Sequence, residues 1–137
     1  MELLYITPIG WAQNAVKDID SFLQDHADAE RKVANMCLSL IAKYPNRTEI
    51  IDELIQISVE ELLHFKQVYN LIKYRGNQLN GVFQKDPYIK GIMSIVRSDS
   101  DEIFMDRLII ASIAELRGSE RFKLISKVAD DPKIAKF

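Results

Sequence analysis

Residues 46–76 read NRTEIIDELIQISVEELLHFKQVYNLIKYRG, and this stretch decides the fold class. Its apolar side chains recur every three or four residues, which is the periodicity of one buried face of an α-helix. Asn46 followed by Glu49 has the spacing of a capping box and predicts where the helix begins. Gly76 predicts where it ends, because glycine commonly follows the last helical turn. The positions on the predicted inward face are Ile50, Leu54, Ile57, Glu61, His64, Val68 and Leu71.

A second long helix is predicted on the N-terminal side of this stretch. Thr7-Pro8 predicts the start of a short helix, with the Thr7 hydroxyl as its cap, and this helix leads into the long one. Tyr44-Pro45 predicts the end of the long helix, because the residue before a proline avoids the α region. Its predicted inward positions are Phe22, His26, Glu30, Val33, Cys37, Leu40 and Tyr44.

The C-terminal half predicts one short helix and a third long one. Asp86-Pro87 opens the short helix, which runs to about residue 96, and residues 98–100 cap the long one. Asp130-Asp131-Pro132 ends the long helix, and residues 132–137 begin another. The inward positions of the third long helix are Leu108, Ala111, Glu115, Gly118, Phe122 and Ile125. No strand pattern is present, so we expect an all-α antiparallel helical bundle in a single domain, residues 1–137.

The composition is that of a globular protein, with 47% hydrophobic and 28% charged residues. A single cysteine, Cys37, excludes an internal disulfide and fits a reducing compartment. The N-terminal residues lack a signal-peptide pattern, and no stretch has the roughly 20 apolar residues of a membrane span. We therefore expect a cytoplasmic protein that makes no contact with a membrane.

The charge is unevenly distributed along the chain. The segment 66–97 has one acid, Asp86, and a charge of +5; since the whole chain is −2, the remainder is −7. Such asymmetry favours a surface for an anionic partner, although an ordinary solvated surface explains it equally well. The basic residues are Lys66, Lys73, Arg75, Lys85, Lys90 and Arg97.

Three glutamates and a histidine interrupt the apolar faces: Glu30, Glu61, His64 and Glu115. A buried carboxylate without a partner is costly, so each of these glutamates requires one. Glu61 and His64 have the Glu-x-x-His spacing with which helical bundles hold two metal ions, together with glutamates from facing helices. Carboxylates can bridge two metals, and a neutral imidazole suits iron. The pattern therefore predicts most of a diiron site.

Other interpretations of these residues remain open at this point. A Glu-x-x-His pair arises by chance in helical proteins, and a glutamate on an apolar face often pairs with an arginine such as Arg31, Arg117 or Arg121. His26 lies one turn before Glu30, where it either supports a metal ligand through a hydrogen bond or is a satisfied core histidine. Glu60 and Glu120 are angled away from the inward faces, which predicts solvated charges. Cys37 is predicted to be a small buried apolar residue.

Five segments of the chain resemble a known family. They are residues 26–32 (HADAERK), 39–45 (SLIAKYP), 60–65 (EELLHF), 106–110 (DRLII) and 115–122 (ELRGSERF). They are similar to the tRNA hydroxylases that act on methylthio-isopentenyl-adenosine and belong to the ferritin-like superfamily. The resemblance runs from about Trp11 to Phe137, and residues 59–68 and 106–122 are its most specific parts.

The resemblance implies a nonheme diiron monooxygenase with a ferritin-like fold. Such an enzyme uses dioxygen and an electron-donating reductase to hydroxylate the isopentenyl group of the modified adenosine next to the anticodon of tRNA. By matching motif, Glu30 and His64 would be terminal ligands of the irons. Glu61 would bridge them, and Glu115 would bind the second iron.

The family pattern continues into a fourth helix with a second Glu-x-x-His, whereas this sequence stops at Phe137, about where that helix begins. We therefore expect a C-terminally incomplete bundle and a truncated chain. Its missing helix would leave an apolar groove between the first and third long helices, which a homodimer could cover.

Two further hypotheses remain for the function: a ferritin-like diiron-binding protein of other activity, and a structural protein that has lost catalysis. The basic segment favours the tRNA enzyme, because aromatic residues lie among its charges, as suits phosphate contact and base stacking. The predicted tRNA-binding residues are Lys73, Arg75, Lys85, Lys90 and Arg97.

Overall fold

The computed structural model describes residues 3–81, 87–98 and 100–137; at positions 88, 89 and 100 it describes the backbone alone. All regular structure in these residues is helical. A 3₁₀ turn, Val16–Asp18, connects the first two α-helices. The α-helices are α1 (Ile9–Ala15), α2 (Ile19–Lys43), α3 (Thr48–Tyr74), α4 (Pro87–Met93), α5 (Ser100–Val128) and α6 (Pro132–Ala135). The helices predicted from the sequence are thus confirmed.

The chain forms two compact units. One comprises Met1–Ile19 and Gln84–Phe137, and the other is Asp20–Phe83. We call them the α5 unit and the α2–α3 unit after their long helices. The single domain over residues 1–137 stays a prediction.

The α2–α3 unit is an antiparallel helical hairpin. The start of α2 meets the end of α3, where Asp20 pairs with Arg75. Nearer the middle of both helices, the Ser58 hydroxyl donates a hydrogen bond of 3.2 Å to the carbonyl oxygen of Ala34. The buried positions recur at helical spacing on both helices, as the apolar pattern predicts. They include Leu23, Ala27, Ala34, Cys37 and Leu40 on α2, and Leu54, Val68, Leu71 and Ile72 on α3. Ile57 is the exception: it was predicted to face inward but is 37% exposed, and its neighbour Ser58 is buried instead.

Glycine ends α3 as predicted. Gly76 has φ of +77°, a conformation that costs a residue with a side chain about 1–2 kcal/mol. Its N–H donates to the carbonyl of Lys73, and the N–H of Asn77 donates to the carbonyl of Ile72. These two bonds form a Schellman motif, which satisfies carbonyl groups left open at the helix end.

The start of α3 differs from the prediction. Its N-cap is Arg47, and no side chain caps it, so the capping box of Asn46 and Glu49 is wrong. The helix begins at Thr48, one residue too late for Asn46 to occupy the cap position. The Glu49 carboxylate instead lies 3.5 Å from the Arg47 guanidinium.

In the α5 unit, α1 and α6 pack against α5. The Trp11 ring lies under the guanidinium of Arg121, 5.1 Å from its carbon. Phe122 packs against Phe137 with ring centroids 4.5 Å apart. The buried apolar side chains of this unit, among the described residues, are Ala12, Ile19, Phe104, Ile110, Phe122, Ile125 and Ile134.

The Thr7 side chain does not have its predicted capping role. The N-cap of α1 is Pro8, and no side chain caps this helix. The Thr7 hydroxyl donates to Glu120 at 2.9 Å, and the Thr7 N–H donates to the same carboxylate at 2.7 Å. The N–H and the hydroxyl of Thr7 thus both donate to a carboxylate 113 residues away in sequence. Hydrogen bonds to an ionised group are stronger than those to the neutral backbone, which explains the preference.

Within the described residues, no helix combines the length and the apolar character that crossing a membrane requires.

Candidate metal centre

Glu30, Glu61 and His64 meet inside the α2–α3 hairpin. One ligand atom from each residue lies within 4.8 Å of the other two. The antiparallel pairing of the helices explains this, because residue 30 of α2 lies opposite residues 61–64 of α3. Glu30 and Glu61 are only 5% and 3% exposed, whereas the His64 side chain is 45% exposed. The cluster is therefore closed on its carboxylate side and open at the imidazole.

His26 supports Glu30 from the preceding turn of α2. Its Nε2 donates a hydrogen bond of 2.9 Å to Oε1 of Glu30. The imidazole also stacks on Phe22, with ring centroids 5.9 Å apart. On the other side of Glu30, Nδ1 of His64 lies 3.8 Å from Oε2, which is too far for a hydrogen bond.

The electrostatic environment favours an ionised Glu30. Burial by itself would raise the pKa of this carboxyl. Hydrogen bonds with His26 and with Glu61, together with the electrostatic effect of His26 and His64, outweigh burial and lower the pKa of Glu30. Cys37 behaves in the opposite way, because burial and the nearby charge of Glu61 raise the pKa of its thiol. The thiol therefore stays protonated and is a poor metal ligand.

The residues present fit a metal ion. Oε2 of Glu30 is buried and accepts no hydrogen bond from the described residues. An unsatisfied buried acceptor costs about 1–3 kcal/mol, and a cation held between the two carboxylates would remove that cost. Two carboxylates and an imidazole are also ligands that iron accepts. The three side chains thus supply a buried, anionic site with hard oxygen ligands and one nitrogen ligand.

Glu115 is part of the α5 unit and is exposed, so its predicted inward orientation is wrong for the described chain. The same pattern is right at Phe122 and Ile125, which are buried. The difference follows from what covers α5 in its own unit: the segment 5–11 contacts it at residues 117–121, beyond Glu115. The role of Glu115 as a metal ligand stays a prediction.

Glu120 was predicted to be a solvated charge, and this is wrong. Besides both donors of Thr7, its carboxylate accepts a hydrogen bond of 2.6 Å from Arg117. These contacts hold the pKa of Glu120 below its ordinary value in spite of burial. Glu60 is exposed, as predicted.

The five predicted tRNA-binding residues differ in whether their charges are already paired with acidic side chains. Lys73 and Lys90 are exposed. Arg75 pairs with Asp20, and Arg97 pairs with Asp106 at 2.6 Å and with Glu102 at 3.1 Å. Lys85 lies outside the described residues. The contribution of each residue to tRNA binding stays a prediction.

A row of cations and aromatic rings includes Tyr69 and Lys73 of the predicted basic segment, whereas its other two members, Arg31 and Phe65, were missed from the sequence. The Arg31 guanidinium lies 5.4 Å from the ring centroid of Phe65, which stacks on Tyr69 at 6.2 Å. The Lys73 ammonium lies 4.8 Å from the Tyr69 ring. Residues 65, 69 and 73 are four apart on one helix face, and this spacing was the available signal.

Comparison with known proteins supplies the family. The family model described as tRNA-(MS2IO6A)-hydroxylase (MiaE) matches residues 2–137. The chain belongs to the MiaE family. A curated relative, the tRNA 2-(methylsulfanyl)-N(6)-isopentenyladenosine(37) hydroxylase of Pseudomonas putida, is 34% identical over 91% of this chain.

A solved structure gives the fold of this MiaE-family chain independently. It is described as protein 43 with aldehyde deformylating oxygenase activity from Synechococcus, and it matches 98% of the chain with a TM-score of 0.90 and 28% identity. The all-α, ferritin-like class predicted from the sequence is therefore confirmed. The chain spans about 60% of the length of the curated relative and 66% of that of the solved structure.

Proposed function

We propose that the whole protein is a nonheme diiron monooxygenase that acts on tRNA. Its substrate would be the methylthio-isopentenyl-adenosine beside the anticodon, and its product the same base hydroxylated on the isopentenyl group. Membership of the MiaE family supports the substrate class. The observation that carries the proposal is the buried cluster of Glu30, Glu61 and His64, since the chemistry requires a metal in an enclosed site.

The proposed ligand roles follow the family resemblance. Glu30 and His64 would be terminal ligands, Glu61 would bridge two irons, and Glu115 would bind the second iron. The close approach of the first three side chains supports their part of the assignment. When bound, the two irons would supply the activation of dioxygen that puts one oxygen atom into a C–H bond.

The protein's own side chains would hold and shield this centre. His26 donates to Oε1 of Glu30 and so fixes the carboxylate, leaving Oε2 for the metal. Such supporting hydrogen bonds typically matter 10–100-fold for metal affinity. The burial of Glu30 and Glu61 would keep water from the inner side. The exposed edge of His64 marks the side from which a small apolar group, such as an isopentenyl chain, could approach.

The remaining components follow from the reaction class. A monooxygenase needs two electrons per dioxygen, so an electron-donating reductase is a required partner. A tRNA substrate places the reaction in the cytoplasm. Lys73, Arg75, Lys85, Lys90 and Arg97 would contact the phosphates, with the exposed charges of Lys73 and Lys90 the most available of the described ones.

The test is oxidation of defined tRNA by the iron-loaded protein with a reductant and dioxygen. The nucleosides of the digested tRNA are then analysed by mass spectrometry. We expect the isopentenylated adenosine to gain one oxygen atom, and we expect the Glu61→Gln variant to give none. Glu60→Gln is the matched control, because Glu60 is the adjacent residue but is exposed. An iron-loaded protein that leaves the base unchanged would contradict the proposed substrate.

A second substrate class is supported by one observation. The structurally similar Synechococcus protein is described as having aldehyde deformylating oxygenase activity. An aldehyde substrate assayed under the same conditions distinguishes the two classes, since turnover of the aldehyde without turnover of tRNA would indicate a ferritin-like oxygenase of other activity.

A further inference from the structure

Helix α3 has a second apolar face, on the side away from the metal cluster. Ile55, Val59 and Leu62 are 47%, 51% and 49% exposed, and Leu63 beside them is also exposed. Single exposed apolar residues are common on protein surfaces, but a contiguous group on one helix face indicates an interaction site. The opposite face carries the buried Leu54, Glu61 and Val68. The helix is thus apolar on both sides.

The spacing along this outer face is that of a coiled coil. The positions follow one another at intervals of three and four residues without interruption, which is the a/d pattern of a seam between two helices. An α-helix of 27 residues is about 40 Å long, and the seam occupies most of it. The seam consists of Asp52, Ile55, Val59, Leu62, Lys66, Tyr69 and Lys73.

The charges of the seam indicate both the partner and its orientation. The apolar centre around Val59 has an acid, Asp52, seven residues before it and a base, Lys66, seven residues after it. Two parallel copies would bring Lys66 against Lys66. Two antiparallel copies related by a twofold axis near Val59 would place each Asp52 beside the Lys66 of the other copy. The seam is therefore complementary to itself in the antiparallel orientation alone.

We propose that α3 binds the α3 helix of a second copy of the chain through this seam, in antiparallel orientation. Val59 and Leu62 form the apolar centre of the interface, and two Asp52–Lys66 pairs flank it. The contact involves one helix from each copy, so its area belongs to the small class that gives weak or transient association. We expect the dissociation constant of this dimer to be on the order of tens of micromolar. This inference does not depend on the proposed activity, and it uses α3, whereas the homodimer predicted from the sequence would use the first and third long helices.

Sedimentation equilibrium of the protein over a wide concentration range tests the proposal. We expect the average mass to rise from 15.8 kDa towards twice that value. Val59→Asp, which puts a charge at the centre of the seam, should abolish the rise. Val59 is half exposed, so its helix should stay folded, as circular dichroism would show.

A charge-swap series identifies the orientation. Asp52→Lys and Lys66→Asp should each weaken dimerisation by about tenfold, because each creates two like-charged pairs across the twofold axis. Combining both substitutions in one chain should restore it. Glu53→Lys is the control: it makes the same change of charge at an exposed position off the seam, and it should have little effect.

Three results would overturn the inference. One is a protein that stays monomeric at every concentration, which would mean that this face binds another segment or another protein. The second is dimerisation that survives Val59→Asp, which would place the interface elsewhere. The third is a double charge swap that fails to restore association, which would contradict the antiparallel pairing.

Discussion

Glu60 and Glu61 are neighbours in sequence, yet their surroundings differ completely. Glu61 is buried beside Glu30 and His64, whereas Glu60 is exposed and accepts a hydrogen bond from Gln56. A helix turns by 100° per residue, so adjacent side chains face different environments. Glu61 alone is therefore placed to bind a metal, and the sequence pair Glu60-Glu61 does not act as one acidic unit.

This contrast gives the first prediction. Glu61→Gln should lower iron affinity by more than about 10–100-fold, the loss that removing a merely supporting partner already causes. Glu60→Gln should leave iron affinity unchanged. Iron content after dialysis against a weak chelator measures both, and equal iron content in the two variants would remove Glu61 from the proposed ligands.

Asp106 gives a second prediction, concerning pH. Hydrogen bonds from the Arg97 guanidinium and backbone N–H lower the pKa of Asp106 from 3.8 to about 2. A carboxyl with a lowered folded-state pKa stabilises the fold above its unfolded pKa and loses that contribution as the pH falls through the folded value. The wild type should therefore melt above Asp106→Asn at neutral pH, and the difference should shrink between about pH 4 and 2.

Thermal unfolding of both variants across this pH range measures the effect. In an Arg97→Gln background the difference should become smaller, because only the backbone N–H of residue 97 still donates to Asp106. A difference of unchanged size in that background would assign the stabilisation to a contact other than the Arg97 guanidinium. The same ion pair also occupies Arg97, so this arginine is less available to phosphates than Lys73.

At the scale of single elements, the end of α3 is the most specific local structure. Gly76→Ala should destabilise the protein by about 1–2 kcal/mol, since it puts a side chain at φ of +77°. Gly91→Ala is the matched control inside α4, where alanine favours the helix by about 0.5–1 kcal/mol. Urea unfolding of the two variants should give shifts of opposite sign, and equal destabilisation would contradict the role of the Gly76 backbone.

Helix periodicity explains which elements and site residues were predictable. The positions Glu30, Glu61 and His64 follow from the three- and four-residue spacing of buried side chains, and a hairpin of two such helices brings them together. The ends marked by Pro45 and Gly76 follow from backbone sterics that act within a few residues. These are local signals, and the sequence contains them in full.

Contacts between distant residues explain the errors. Thr7 has the right residue type for a cap, but the carboxylate that takes its donors is 113 residues away. Glu120 was assigned to solvent for the same reason, since nothing near it in sequence reveals Thr7. The exposure of Glu115 depends on which segments cover α5, and periodicity along a single helix contains no such information.

At the scale of the whole molecule, the proposed function requires a basic surface for tRNA. Reversing Lys73 and Lys90 to glutamate should weaken tRNA binding and reduce its salt dependence, because fewer counterions are released when fewer phosphates are neutralised. Iron content should be unaffected. Binding measured by filter retention at several salt concentrations tests this. Lys32→Glu together with Lys43→Glu is a control with the same total charge change, at exposed lysines outside the basic segment. Equal losses in both double variants would indicate a nonspecific effect of net charge.

The position of Trp11 has a consequence for how the chain unfolds. It is the chain's one tryptophan, and it lies against Arg121 in the α5 unit, whereas Glu30, Glu61 and His64 belong to the other unit. Its fluorescence therefore reports on one unit, while the helical signal in circular dichroism comes from both. If residues 1–137 melt cooperatively as one domain, the two signals should change at the same denaturant concentration. Separate midpoints would mean that the helical hairpin with the metal cluster holds its structure independently of the α5 unit.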